Sequence, residues 1–248
     1  MPPIPIRSKL QQGDVVGVVA GPHNTDLVDF LGQLGPDGVW LESEHGPVDW
    51  SAIGDFSRAC DLWGMASIVR VNTNEPWLIT RALDCGASGV CVPHVATKAA
   101  AERVVAGAKF APLGQRGMYR GRRSYGVADY LSAANEETLV VILIEDAEAL
   151  PNLAEMLTVE HVDVFHVAPQ DLAQSMGYPG HPEHPKVQAA IDRAIGQIVD
   201  AGRVAGTSVI DESLPRYLDL GVRFVYTSWL PWLARGAQHF TATLKARH

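Results

Sequence analysis

Cysteine is scarce. The 248 residues hold three, Cys60, Cys85 and Cys91, with no CxxC spacing. That excludes a disulfide framework and a thiolate zinc site. All three stand in apolar settings and read as small buried hydrophobes in a reducing cytoplasm. Basic residues are also short, 20 Lys and Arg against 28 Asp and Glu for a formal charge of −8, so no cationic excess exists to meet nucleic-acid phosphates. No apolar stretch approaches the length of a membrane span, and Met1-Pro2-Pro3-Ile4-Pro5-Ile6-Arg7 lacks the apolar core of a signal peptide. No glycine-rich dinucleotide or phosphate loop follows the first apolar run, which argues against a Rossmann sheet.

What is present is a repeated alternation. Apolar, β-branched runs predict strands at Val15–Val19, Gly38–Glu42, Ala66–Val71, Gly89–Pro93, Leu139–Glu145, Val162–Val167, Val204–Ile210 and Arg223–Thr227. Helical patterns fill the intervals, over Thr25–Leu34, Asp49–Trp63, Glu75–Cys85, Thr97–Phe110, Ala147–Leu157, Lys186–Ala201 and Glu212–Leu220, with a closing helix from about Trp229 to Ala246. Gly35, Gly64, Gly86, Gly202 and Gly221 follow helices, as C′ residues do. Eight strands alternating with eight helices predict an α/β fold, a single (β/α)8 TIM barrel over residues 1–248.

Chemistry in such a barrel sits at the C-terminal ends of the strands. Two apolar runs there stop at or near a carboxylate: Ile144-Glu145 and Pro169-Gln170-Asp171. Taken singly, Glu145 could cap a helix and Asp171 open a turn. Together they could converge on one hard divalent cation, Mg2+, Mn2+ or Co2+, through oxygen ligands. Trp40-Leu41-Glu42-Ser43-Glu44-His45 places a histidine flanked by acids just past another strand, as a general base requires. Arg70 ends the third strand, where its charge needs an anion: a substrate oxygen, or Glu42 or Glu44. Asp84, near a helix end, reads by position as a solvated acid. His166 lies inside the sixth strand and reads as barrel-lining, and Ser208 in the seventh could bond a substrate oxygen or the backbone. His23, His94, His181 and His184 fall in loops without metal spacing. Two long connections, Ala111–Glu137 and Gln170–Pro185, are expected to be functional or mobile. In the first, Arg116, Arg120, Arg122 and Arg123 could hold an anionic substrate or meet an acidic neighbour, whereas Trp229 and Trp232 point to an apolar or aromatic one. No lysine stands at a predicted strand end, so a Schiff base is not suggested.

Several stretches, in order and at their spacing, resemble the HpcH/HpaI aldolase family, the metal-dependent class II pyruvate aldolases. They include Glu44-His45-Gly46-Pro47, Val69-Arg70-Val71, Gly86-Ala87-Ser88-Gly89-Val90, Arg116-Gly117, Pro169-Gln170-Asp171-Leu172 and Gly177-Tyr178-Pro179-Gly180, and the likeness runs from about Gly13 to Leu233. The resemblance implies a hexamer of barrels with the last helix exchanged between neighbours. It implies Glu145 and Asp171 as metal ligands, Arg70 at the keto or enolate oxygen, and His45 as base in a dyad with Glu42. It further implies Asp84 reaching into a neighbour's site, and the backbone of Gln170 and Asp171 on the pyruvate carboxylate. The implied reaction is reversible cleavage of 4-hydroxy-2-oxo acids to pyruvate and an aldehyde through a pyruvate enolate. An oxaloacetate decarboxylase using the same enolate, or a weakly catalytic keto-acid-binding protein, are the alternatives. The chain departs from the family pattern with Glu42 for Asp, Leu143 for Gln, Ala168 for Gly and the bulkier ending Thr227-Ser228-Trp229-Leu230.

Overall fold

In the computed structural model, residues 5–246 are described; Met1–Ile4 of the N-terminal run, and the last two residues of the expected domain span, lie outside the described residues. Eight strands, β1 (Val16–Ala20), β2 (Gly38–Glu42), β3 (Ala66–Arg70), β4 (Gly89–Val92), β5 (Leu139–Ile144), β6 (Val164–Val167), β7 (Val204–Ser208) and β8 (Phe224–Ser228), pair in parallel in chain order, and β8 closes on β1. The expected (β/α)8 barrel is therefore present, and each strand lies within a residue or two of its expected bounds. The helices are α1 (Ile6–Gln12), α2 (Thr25–Gly32), α3 (Trp50–Leu62), α4 (Pro76–Asp84), α5 (Lys98–Ala108), α6 (Tyr130–Glu137), α7 (Ala149–Met156), α8 (Pro169–Ser175), α9 (Pro185–Asp200), α10 (Leu214–Asp219) and α11 (Leu230–Lys245).

Strand periodicity explains the continuous apolar runs. In β5, Leu139, Val141 and Leu143 join the cluster inside the barrel, while Val140, Ile142 and Ile144 join the shell beneath the helices. Both faces are buried, so both must be apolar. The same period places Ala20, Trp40, Ile68, Cys91, Val164 and Phe224 inside. Removing one of these side chains, as in Leu143→Ala, would cost roughly 2–5 kcal/mol. Ile6 and Leu10 of α1 join the same interior cluster from below. Arg7 ties α1 to Asp163 at 2.7 Å and Lys9 ties it to Asp37 at 2.5 Å. The side chains of Asn24, Asp49 and Thr97 accept N–H bonds at the starts of α2, α3 and α5.

Three helices lie where no helical pattern was expected. α1 precedes the first strand. α6 ends the connection read as a loop from Ala111 to Glu137, and α8 opens the one from Gln170 to Pro185. The two loop readings are corrected to that extent. In α8 the start is legible afterwards: Pro169 occupies the first helical position. α11, which with α9 is the longest helix at 16 residues, differs from the other α-helices in burying none of its residues, and Leu230, Leu233, Phe240 and Leu244 are all exposed.

Candidate active site at the barrel mouth

Inward parity carries past the apolar layers to the mouth. Counting by twos, Trp40 leads to Glu42, Ile68 to Arg70, Leu143 to Glu145, and Gly206 to Ser208. The register sets Glu42 opposite Arg70 across the β2–β3 pair. Arg70 Nε donates to Glu42 Oε2 at 2.6 Å, and its NH1 lies 3.1 Å from Glu44 Oε2. Burial works against the Arg70 charge, but Glu42 and Glu44 outweigh it and hold its pKa above the usual value. Of the two readings for Arg70, the acidic partners are what the structure contains.

Glu42 is crowded. It also accepts from the Trp40 indole at 3.3 Å and from the backbone N–H groups of Glu44 at 2.8 Å and His45 at 3.1 Å. The chain turns back over it at Gly46, where a Cβ would stand 2.7 Å from the Glu42 carbonyl oxygen, so only glycine fits. Glu42 thus meets His45 through the backbone. The acid nearest the imidazole is Glu44, with Oε2 3.9 Å from His45 Nε2. The ring itself is 70% exposed. Burial raises the Glu44 carboxyl pKa against the pull of Arg70 and His45.

Glu145 is 2% exposed and stands just past β5. Burial pushes its pKa up to about 7, with Asp171 and Glu44 adding to the rise; a hydrogen bond from the His94 backbone, 2.7 Å to Oε1, works the other way. Asp171 is exposed in the first turn of α8, two residues past Pro169. The N–H groups of Gln170 and Asp171 belong to that turn and have no acceptor within the helix.

His94 is the residue that the sequence order concealed. It sits in the left-handed region at φ 53, an uncommon state for a residue with a side chain. Its Nδ1 lies 3.2 Å from Asp146 and 3.5 Å from Glu145, and its Nε2 3.9 Å from Glu44. Burial alone would lower its pKa, but Glu145 and Asp146 raise it overall. Its partners come from the segments after β2 and β5, so no local motif marks it. The available sign was Val92-Pro93-His94, a histidine just past a strand end.

Below this layer His166 is fully buried among Trp40, Phe224 and Tyr226, with ring centroids 5.8–6.0 Å away. It is barrel-lining, as expected. Its Nε2 lies 3.3 Å from Ser208 Oγ, so the Ser208 hydroxyl meets a side chain. Burial lowers the His166 pKa to about 3, and the ring is neutral.

The arginines go elsewhere. Arg116 donates to Asp84 at 2.7 Å and Arg122 to Asp61 at 2.5 Å, while Arg123 donates to the Gly86 carbonyl at 2.7 Å and to Asp61 at 3.2 Å. These contacts are internal and lie away from the mouth, which corrects the reading of Arg116, Arg122 and Arg123 as anion receptors. All three cysteines are free, Cys60 and Cys91 buried as expected and Cys85 only partly so, and burial pushes the Cys60 thiol up to about 12.

Among the described residues, no group of three or more His, Cys, Asp or Glu side chains is placed to hold a metal ion. The donors fit a different arrangement. Glu145 is a buried carboxylate with a raised pKa and a second acid, Asp171, within electrostatic reach, which is how an oxygen site short of a cation behaves. Two carboxylates suit a hard ion that takes its other ligands from substrate and water.

With this geometry in view, comparison with known proteins is decisive for ancestry. Residues 17–219 match the HpcH/HpaI aldolase/citrate lyase family. The chain belongs to that family. A protein of Salmonella dublin named 4-hydroxy-2-oxo-heptane-1,7-dioate aldolase is 35% identical over 237 residues, covering 93% of this chain and 90% of its own. The crystal structure of an HpcH/HpaI aldolase/citrate lyase family protein from Burkholderia cenocepacia superposes with a TM-score of 0.90 at 27% identity, over 99% of this chain and 100% of that one. An HpcH/HpaI aldolase from Desulfitobacterium hafniense shares the fold, with a TM-score of 0.88 at 24% identity over 97% and 96% of the two chains. As a member of the HpcH/HpaI family, the chain is a carbon–carbon lyase. No helix among the described residues is long and apolar enough to cross a membrane.

Proposed function

We propose that this lyase is a divalent-metal-dependent aldolase, reversibly cleaving 4-hydroxy-2-oxo acids to pyruvate and an aldehyde. The observation that carries the reading is the division of charge at the mouth. Glu145 is a buried carboxylate with a raised pKa, within reach of Asp171, while Arg70 stands on β3, two strands away from β5, next to Glu42 and Glu44. One place suits a cation and the other an oxygen that gains negative charge. When bound, the divalent ion, Mg2+, Mn2+ or Co2+, supplies Lewis-acid stabilisation of that charge.

The chain's own groups do the rest. The first-turn N–H groups of Gln170 and Asp171 receive the substrate carboxylate, Arg70 the 2-oxo oxygen, and Ser208 offers a hydroxyl from β7. His45 takes the proton of the C4 hydroxyl. The C3–C4 bonding pair passes into the C2–C3 double bond of the enolate, and the aldehyde leaves as its carbonyl forms. Protonation at C3 then gives pyruvate. Glu44, between His45 and Arg70, helps to hold the charge of the protonated ring, and Glu42 fixes Arg70 and the turn that carries His45.

The reading includes a homo-oligomer, a hexamer by family resemblance, with α11 exchanged between copies and Asp84 completing a neighbour's site. Supporting it, no residue of α11 is buried against its own barrel, and Asp84 lines an open groove of about 520 Å3 flanked by exposed Trp77 and Tyr119. The buried free thiols of Cys60 and Cys91 support a cytoplasmic location. The test is pyruvate release from a panel of 4-hydroxy-2-oxo acids and oxaloacetate, by protein stripped with EDTA and then resupplied with each metal. Metal-restored cleavage of a hydroxy-oxo acid is the expected result. Restoration on oxaloacetate alone would favour a decarboxylase, and pyruvate binding without turnover a binding protein.

A further inference from the structure

Beside the catalytic cluster the mouth opens into a second recess of about 210 Å3, at the ends of β8, β1 and β2. It shares Glu42 with the cluster, and its walls are Trp40, Tyr226, Pro22, Pro47 and Leu230. The Trp40 and Tyr226 rings pack edge to face with centroids 4.8 Å apart, and the Trp40 indole bonds Glu42, so the aromatic wall is fixed. No Lys or Arg lines it, exposed His23 stands at its rim, and its one carboxylate, Glu42, already bonds Arg70.

A separate feature lies behind the recess wall at Gly21 and Ser228. The indole N–H of Trp229 is buried without a hydrogen-bond partner. It lies over Gly21, where a Cβ would sit 2.9 Å from Nε1 and 3.8 Å from Ser228 Oγ. Gly21 and Ser228 both line the recess. A buried donor left unpaired is costly, and a neutral oxygen delivered by a ligand would satisfy it.

We infer that this recess receives the aldehyde half of the substrate, and that this half is uncharged: an apolar or aromatic group, best with a neutral oxygen acceptor, and not a second carboxylate. The inference rests on the aldolase reading and names its substrate class. An apolar cavity of about 150 Å3 is enough for a benzene ring, so the space is adequate. A carboxylate there would lose its water beside Glu42 with no Lys or Arg to pair with, and with only the exposed ring of His23 at the rim. Most of the arginines that could have served are committed, Arg116 to Asp84, Arg122 and Arg123 to Asp61, Arg216 to Asp192 and Arg235 to Asp211, and exposed Arg120 does not line the recess.

Two measurements on the full-length protein with added Mg2+, Mn2+ or Co2+ separate this inference from its premise. Exchange of the pyruvate methyl protons for deuterium, followed by NMR, needs only the enolate and no aldehyde. Aldol addition of pyruvate is then compared for benzaldehyde, 4-methoxybenzaldehyde and 4-oxobutanoate, the last carrying a carboxylate. The expected result is exchange in every variant tested, with kcat/KM for the aromatic aldehydes at least ~10-fold above that for 4-oxobutanoate, the scale on which an unpaired charge is rejected. Ser228→Arg should move that ratio ~10-fold or more toward 4-oxobutanoate. Trp229→Phe, which keeps a ring and removes the N–H, should raise KM for 4-methoxybenzaldehyde ~5-fold relative to benzaldehyde. Exchange together with parity or a preference for 4-oxobutanoate overturns the inference and leaves the aldolase reading standing. Absence of exchange with every metal overturns both.

Discussion

The two ends of this barrel handle buried polar groups in opposite ways. At the lower end Arg203 donates to the carbonyls of Leu157, Val159 and Val162 at 2.6, 3.0 and 2.7 Å, and stacks over Phe165. Lys109, fully buried, donates to the carbonyls of Asn135 and Thr138, both at 2.8 Å. Every contact there closes a loop end that would otherwise leave carbonyls dry. At the upper end Ser43 Oγ, His166 Nδ1 and Trp229 Nε1 are buried without hydrogen bonds, and Glu44 Oε2 has only its ion pair to Arg70 and the more distant His45 ring. Burial holds Glu145 above its normal ionisation range, and His94, in the left-handed region, donates its backbone N–H to that carboxyl. One end closes most of its chemistry within the chain, with Arg116 Nε an exception. The other is complete only with a ligand, and the unmet groups show where that ligand belongs.

The contrast predicts that substitutions at the two ends break different things. The largest effect should come from Glu145→Gln, with turnover lost by about 10³-fold or more. Its melting temperature should hold or rise, because an amide is cheaper to bury among acids than a carboxylate. A variant that melted early yet kept its turnover would show that Glu145 is structural. At the lower end, Arg203→Ala should lower unfolding free energy by roughly 1–3 kcal/mol, the cost of stranding a buried carbonyl. Chemical denaturation would report that loss, while kcat per folded molecule should not move. A change in kcat would blur the division between the two ends.

The third effect concerns acid. His166 holds a pKa of about 3 in the fold because burial disfavours its charged form, whereas an unfolded chain binds that proton near pH 6.5. Between about pH 6.5 and 3 the unfolded state therefore carries the extra proton, and native stability declines as the pH falls. His166→Leu should flatten that part of a melting-temperature profile. An unchanged profile would place the acid sensitivity elsewhere.

Much of this was legible in the sequence, for identifiable reasons. Strands buried on both faces produce unbroken apolar runs, and each such run is visible without long-range information. The residue that follows the last inward apolar position then falls at the mouth, which is why Glu42, Arg70 and Glu145 could be named. The partners of those residues could not be. Which acid faces the His45 ring depends on the turn at Gly46, and the setting of His94 depends on segments from two other strand ends. The arginines after Pro112 look free in sequence because Asp61 and Asp84 come from other helices. Helices α6 and α8 are too short to display a clear period, and α1 is legible only as a plug once the barrel interior is known.

The seam that closes the sheet joins Val16–Ala20 to Phe224–Ser228, strands from nearly opposite ends of the chain. During synthesis the first strand therefore has one unpaired edge until almost the whole polypeptide exists. A product cut short before Phe224 presents two open edges with apolar faces, the geometry that recruits other strands. Nonsense or frameshift lesions late in the coding sequence should thus yield insoluble chains, targets for chaperones and proteases, and not a diminished enzyme.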